Sequence, residues 1–328
     1  MIDTNKLAFK LENIILKHKQ CVVKSRSECD TSIEIAGKRA VVPCFPSNMK
    51  AIVNLDICRQ FDEAGWFHVF PRVDEDKIFD YIIQANKEDW NFISISIGIK
   101  DFYFELLRRV KETKLRLDSI EIDLALGYTN EILPMVRFIR ENFGDIQIIA
   151  GNGDSEQFIA FLAKNDVTVA KLNLGVSSSC RTKAFVGFSS STITDLDRCA
   201  YQARNCTRPN GQRVKLLSDG GLTVKGSDVW IGDIAKIIRF GGDYIQSGAL
   251  FSRCIDSPAI IEGYFGNASF RAKQHKNHIE GTSLKVETNG LTIKEMMKLV
   301  EDSLKSSISY AGGEILEDIR GVDYQIVF

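Results

Sequence analysis

Short apolar and β-branched runs recur along the chain at Ala40 to Val42, Trp66 to Phe70, Phe92 to Ile97, Ser119 to Asp123, Ile146 to Ala150, Thr168 to Leu174, Val214 to Asp219 and Asp243 to Ser247. Between them lie longer stretches such as EDKIFDYIIQANKE, DFYFELLRRVKE, EILPMVRFIREN, SEQFIAFLAK and IGDIAKIIRFGG. Their apolar residues fall three and four apart, the spacing of one helix face. Strands alternating with helices predict a parallel sheet, because parallel neighbours need a crossover connection. Eight such units predict a closed α/β (β/α)8 TIM barrel, one domain spanning residues 1–328. An open doubly wound sheet is the rival, and the absence of Gly-x-Gly-x-x-Gly after the first run weighs against it.

Two stretches interrupt the alternation. Positions 199 to 213, CAYQARNCTRPNGQR, read as polar, with Pro209-Asn210-Gly211 as a turn before the seventh run. Residues 263 to 290 are rich in Gly, Lys and Asn and read as a long excursion after the eighth strand. Long loops in compact domains are functional or mobile, so this one is expected to be an active-site flap.

A 44% hydrophobic content suits a large core, and a net charge of −1 offers no basic field for a nucleic-acid backbone. No nucleic-acid partner is expected. The N-terminal stretch MIDTNKLAFKLENIILKHK has no long apolar segment, and no run of about 18 apolar residues spans a bilayer. The expectation is a cytoplasmic protein with no membrane partner. Eight cysteines contain no Cys-x-x-Cys pair, so no metal site is expected and most read as buried thiols. His68, inside an apolar run, reads as a core histidine, His275 and His278 as solvated, and Phe102-Tyr103-Phe104 as helix packing.

In a barrel the loops at the strand C-termini carry the chemistry. The sixth run leads into NLGVSSSCRTK, Asn173 to Lys183. There Gly175 and the amides of the serine turn can cradle an anion, and Arg181 and Lys183 would favour the thiolate of Cys180. A covalent nucleophile and a packed thiol are both open on these local residues. The seventh run ends in SDGG, where Asp219 precedes Gly220 and Gly221, and the eighth in QSGAL, where Ser247 and Gly248 can give amides to a phosphate.

Together these segments resemble a known family. SRSECDTS (Ser25 to Ser32), SNM (Ser47 to Met49), SISIGIK (Ser94 to Lys100), IAGN (Ile149 to Asn152), SDGG, YFGNAS (Tyr264 to Ser269), IEG (Ile279 to Gly281) and the C-terminal SLKSSISYAGG and GVDYQIV follow the order seen in GMP reductases, the shorter relatives of IMP dehydrogenase. The likeness to the bacterial branch covers nearly the whole chain. It implies reductive deamination of GMP by NADPH to IMP, ammonia and NADP. Cys180 would attack purine C2, and Thr182 with Glu280 would protonate the leaving ammonia. Asp219 would grip the ribose hydroxyls, Gly221, Ser247, Gly248 and Tyr264 would surround the phosphate, and Gly220 would add a substrate contact. Ser47, Asn48, Met49, Gly175, Ser178 and Gly266 would add substrate contacts, and Asn267, Ala268 and Ser269 would meet the purine edge. Arg72, Asp123, Gly151 and Asn152 fall where the family meets the nicotinamide cofactor. The resemblance also implies a homotetramer.

Departures cluster around these positions. The family's Gly-Ile-Gly-Pro-Gly loop is here Asn173-Leu174-Gly175-Val176-Ser177, which weighs against a monovalent cation (K+) held by its carbonyls. Pro71 replaces a histidine, Ala125-Leu126-Gly127 replaces an Ala-His-Gly stretch, and the segment LTVKGSDVWI after SDGG is longer than the family's and adds Trp230 beside the mouth. A modified or deoxy guanine nucleotide is therefore an alternative substrate. IMP dehydrogenase is a second reading, weakened because Gly266 to Glu280 carries no Arg-Tyr pair to activate water. A non-catalytic nucleotide-binding paralogue is a third, opposed by the presence of Cys180, Thr182 and Glu280.

Overall fold

The computed structural model describes residues 7–176, 182–265 and 283–328. Seven strands form one all-parallel ladder in the order Cys44–Pro46, Tyr244–Ser247, Lys215–Asp219, Val169–Leu172, Gln147–Gly151, Ser119–Asp123 and Ser94–Ile97. With its helices this is an α/β barrel-like fold. Residues of Ser94–Ile97 and Gln147–Gly151 are buried on both faces, as expected of strands covered by helices outside and side chains inside.

The helices occupy the stretches with three- and four-residue spacing. Glu75–Lys87 starts where the Asp74 carboxylate accepts the Lys77 amide, and Glu156–Lys164 where the Ser155 hydroxyl accepts the Phe158 amide. Both caps satisfy amides that no preceding turn can pair. Asp101–Glu112 buries Tyr103, Leu106, Leu107 and Val110 as one stripe. The Phe102-Tyr103-Phe104 run is thus helix packing, as its spacing predicts.

Two segments differ from the sequence reading. The chain from Ala40 to Val42 is not the first parallel strand: Lys38–Ala40 pairs antiparallel with Ile33–Ile35, and the ladder strand begins at Cys44. Val41 and Val42 are apolar because they pack, and period alone cannot tell a hairpin from the strand that follows. Side chains at the strand starts hold this hairpin: Gln147 Oε1 accepts the Ala36 amide, and the Tyr244 hydroxyl donates to Glu34 O. Positions 199 to 205 belong to the helix Ile193–Asn205, whose buried face is Ile193, Leu196, Cys199, Ala200 and Ala203. Small residues on that face hid the period. The excursion opens and closes as a two-strand pair, Tyr264–Phe265 with Ser283–Leu284; residues 266–282 lie outside the described residues.

The second run, Trp66 to Phe70, is extended and fully buried at Phe67, Val69 and Phe70, with one parallel bridge from Phe70 to Ile95. The Arg72 amide donates to Asn48 O at 3.1 Å. The Phe67 ring stands edge-on to both Phe45 (4.8 Å) and Phe92 (5.3 Å). With Ile149, Val169, Leu217 and Tyr244 these rings form an apolar cluster between the two ends of the ladder. Among the described residues no helix is long and apolar enough to cross a membrane.

Candidate active site

The ladder strands all point one way, so their C-terminal ends share one rim. Three carboxylates and one ammonium, carried by the strands Ser119–Asp123, Val169–Leu172 and Lys215–Asp219, lie just beneath it. Lys171 Nζ is 2.6 Å from Glu121 Oε1, 2.9 Å from Asp123 Oδ1 and 3.2 Å from Asp219 Oδ2. Three carboxylates thus share one ammonium whose side chain is 2% exposed. Burial drags the Lys171 pKa down, but Asp123, Asp219 and Glu121 more than offset it and hold the ammonium well above its usual range. Burial pushes the Glu121 carboxyl up to about 7 against the pull of Lys171, with Asp123 and Asp219 adding to the rise.

Neutral side chains complete the network. Asn48 Nδ2 donates to Ser96 Oγ (2.6 Å) and Glu121 Oε1 (3.1 Å), and Gln246 Nε2 to Glu121 Oε2 (3.3 Å). Asn152 Nδ2 donates to Asp219 Oδ2 (3.0 Å) and Asn173 O (2.9 Å); Asn173 Nδ2 donates to Ser218 Oγ (2.9 Å). Arg72 lies against the outer edge: Nη1 donates to Asp123 O (2.8 Å) and is 3.7 Å from Asp123 Oδ2, and Nε donates to the Tyr103 hydroxyl (3.0 Å). Burial disfavours its charge, yet Asp123 and Tyr103 carry its pKa above the ordinary value.

Asp123, Asn152, Asp219, Asn48 and Arg72, all named from the sequence, therefore meet in one network. Gly151 ends the strand beside Asp123, with which it is in register. The Gly220 amide donates to Gln246 O (2.7 Å), and positive φ at Gly220 and Gly221 turns the chain off the strand. The Ser47 amide donates to Ser247 O (3.3 Å), and Tyr264 packs on Gly248. Met49 instead packs partly buried against the main core. Gly175 opens the loop after the sixth run at φ +71°. That loop is pinched at its base: the Leu174 amide donates to Ser190 Oγ (2.6 Å), whose hydroxyl donates to Asp154 Oδ2 (2.6 Å). Thr182 is buried and begins the short helix Thr182–Val186. Ser178, Cys180, Gly266, Asn267, Ala268, Ser269 and Glu280 lie outside the described residues.

Sequence reasoning passed over Glu121, Lys171, Gln246 and Asn173. A signal was present, since SIEID and TVAKLNL each carry a charged residue inside an apolar run, and such a residue is buried only when partnered. His68 is fully buried, as expected of a core histidine. Trp230 faces a cavity of about 1000 Å³ lined by Ile14 to Lys19, Lys236 and Ser309 to Ala311, whose walls include none of the strand-end residues. Among the described cysteines, burial raises the thiols of Cys29, Cys44, Cys58, Cys199 and Cys254, which keeps them protonated and inert. No group of three His, Cys, Asp or Glu stands at metal-holding geometry among the described residues.

A parallel sheet with a cluster of partnered charged side chains at its strand ends defines an α/β barrel-like protein whose rim is the place where such folds carry active sites. Comparison with known proteins narrows the class. The family model described as IMP dehydrogenase / GMP reductase domain matches residues 83–326. The chain is 34% identical to the GMP reductase of Bacillus subtilis (strain 168) and 33% identical to that of Staphylococcus carnosus (strain TM300), in each case over 97% of this chain and 96% of the relative. The GMP reductase of Staphylococcus aureus (strain N315) is 33% identical over the same shares. The chain belongs to the IMP dehydrogenase / GMP reductase family and is an oxidoreductase.

Proposed function

We propose that the protein reductively deaminates GMP to IMP with NADPH, through a transient bond between Cys180 and purine C2. The observation that carries this reading is the rim network: Asp219 offers a carboxylate beside Asn152, and Asp123, on the strand next to that of Gly151, lies against Arg72, so a ribose and a nicotinamide ring have separate polar anchors along one rim. Likeness to GMP reductases along nearly the whole chain supports the substrate.

The residues present fit a dihydronicotinamide. Arg72 and Asp123 are partly exposed and supply a donor and an acceptor side by side, which a carboxamide and an anionic dinucleotide require. NADPH when bound supplies a hydride for the purine carbon. The chain's own part is positioning and proton control. The Cys180 thiolate adds to C2; Thr182, with Glu280, gives a proton to the departing amine, and ammonia leaves with its bonding electrons. After reduction at C2 the carbon–sulfur bond breaks and the thiolate returns.

The scaffold that holds these groups is a closed (β/α)8 barrel in this reading. Its support is the Phe70 to Ile95 bridge and the Arg72 to Asn48 hydrogen bond, which link the extended segment Trp66 to Phe70 to both ends of the ladder.

Purified protein given GMP and NADPH should consume dihydronicotinamide absorbance, and Cys180→Ala should abolish this while still binding GMP. Glu280→Gln should slow deamination more than it weakens cofactor binding. A Cys180→Ala enzyme that still turns over removes the covalent route. Gain of absorbance with IMP and NAD, without the GMP reaction, makes the protein an IMP dehydrogenase. Failure of both reactions, with GMP still bound, makes it a binding paralogue.

A further inference from the structure

Lys171 has three ammonium hydrogens and three carboxylate partners, so its position is decided by whichever partner is closest and least able to move. By that geometry the partner is Glu121. It makes the shortest contact, 2.6 Å, and its side chain is fully buried. Asn48 Nδ2 on Oε1 and Gln246 Nε2 on Oε2 fix the carboxylate from two other strand ends, so it has no rotation left. The ammonium is therefore anchored from below.

The consequence reaches Asp219. Its Oδ2 takes both Lys171 Nζ (3.2 Å) and Asn152 Nδ2 (3.0 Å), and Oδ1 takes no hydrogen bond among the described residues. One oxygen is committed and the other is left for a ligand. Were the anchor removed, the ammonium would be free to rise toward the rim and take Oδ1 as well, because an ion stripped of one buried partner seeks another. A cation in that place competes with a sugar hydroxyl for the same acceptor.

We propose that Glu121 is a positioning residue that sets selectivity for a ribonucleotide: by anchoring Lys171 beneath the rim, it keeps one oxygen of Asp219 available to the vicinal diol of a ribose. The inference rests on the nucleotide-binding reading of the proposed function, and Glu121 itself touches no substrate.

The test is the selectivity between GMP and dGMP in Glu121→Ala and Glu121→Gln, read as KM and kcat with NADPH and as calorimetric Kd for each nucleotide. In folded Glu121→Ala, KM for GMP should rise about tenfold while KM for dGMP, which lacks one of the two hydroxyls, rises no more than about threefold, and the KM for NADPH should hold. Glu121→Gln keeps an acceptor for Lys171 and should restore most of the selectivity. A purely structural role would lower melting temperature and active fraction and weaken both nucleotides alike, and that result overturns the proposal. If Glu121→Ala does not fold, Glu121→Gln carries the test: a loss of selectivity of about twofold is expected from the weaker acceptor, and an unchanged ratio overturns it. Wild-type protein that neither turns over nor binds GMP removes the proposed function together with this inference. Wild-type turnover with selectivity indifferent to residue 121 removes this inference alone.

Discussion

A Cβ on Gly248 would stand 2.7 Å from the hydroxyl of Tyr264 and 3.4 Å from its ring. Tyr264 is buried, so the ring cannot swing clear without disturbing its neighbours. Overpacking of this kind costs about 1–3 kcal/mol. Gly248→Ala should therefore fold with reduced stability and shift Tyr264. Because Gly248 follows the strand Tyr244–Ser247 and Tyr264 packs on it, KM for the nucleotide should rise by about tenfold or more, while KM for NADPH changes little. An alanine variant with wild-type nucleotide KM would show that Tyr264 has room to yield.

Removing the shared ammonium should cost more than removing any one of its partners. Lys171→Met fills the space but leaves Glu121, Asp123 and Asp219 facing one another without the ammonium they share. Breaking a buried ion pair from one side costs about 3–5 kcal/mol. The raised pKa of Lys171 means that its contribution is complete below its unfolded value of 10.5 and is lost only as pH climbs through the folded value. The variant should thus be weaker across the neutral range and recover as the pH falls and its carboxylates take up protons. Denaturant titrations at pH 5 and pH 7 measure both effects; a deficit that does not shrink in acid would assign the loss to packing.

Glu121 gives a separate pH signature. Its carboxyl is raised from 4.5 to about 7, so the folded chain holds this proton more tightly than the unfolded chain does. The group's contribution to stability is fully present below about pH 4.5 and is lost as pH rises to about 7. Glu121→Gln cannot titrate. The stability of wild type relative to this variant should therefore decline across that window and level off above it. Unfolding curves for both proteins at half-unit pH steps test this, and a constant difference would mean that Lys171 keeps Glu121 ionised throughout.

Most of the scaffold was legible because its physics is local. Runs such as Ser119–Asp123 and Lys215–Asp219 end where the ladder strands end, and the stretch Asp101–Glu112 is a helix from its first residue to its last. The first strand was misplaced because Lys38–Ala40 forms a hairpin, whose partner Ile33–Ile35 was too short to announce itself. The site was half legible. Asp123, Asn152 and Asp219 stand at strand ends where loops begin, so their positions carry meaning in the sequence. Glu121 and Lys171 lie inside strands about 50 residues apart, and only the register of Ser119–Asp123, Gln147–Gly151 and Val169–Leu172 brings them together. Pairing across a sheet is long-range information that period and composition do not hold.

His68 shows the opposite electrostatic behaviour to Glu121. Its ring is fully buried beside Phe70 (5.8 Å) and Trp90 (5.7 Å). Nδ1 reaches Trp66 O only at 3.5 Å, and Nε2 has no hydrogen-bond partner among the described residues. Burial lowers its pKa from 6.5 to about 4, with Trp66 O and Asp118 pulling weakly the other way. The unfolded chain therefore takes up this proton first as the solution is acidified. Stability from the neutral ring is present above about pH 6.5 and is lost as pH falls toward 4. His68→Leu removes both the titration and the unpaired nitrogen. At pH 7 it should match wild type to within about 1.5 kcal/mol, since the swap keeps an apolar side chain of similar bulk in the core. At pH 5 it should be the more stable of the two, because only wild type is losing stability to protonation of the unfolded state. Melting both proteins at the two pH values decides the matter, and a leucine variant that weakens in acid as steeply as wild type would trace the acid sensitivity to another group.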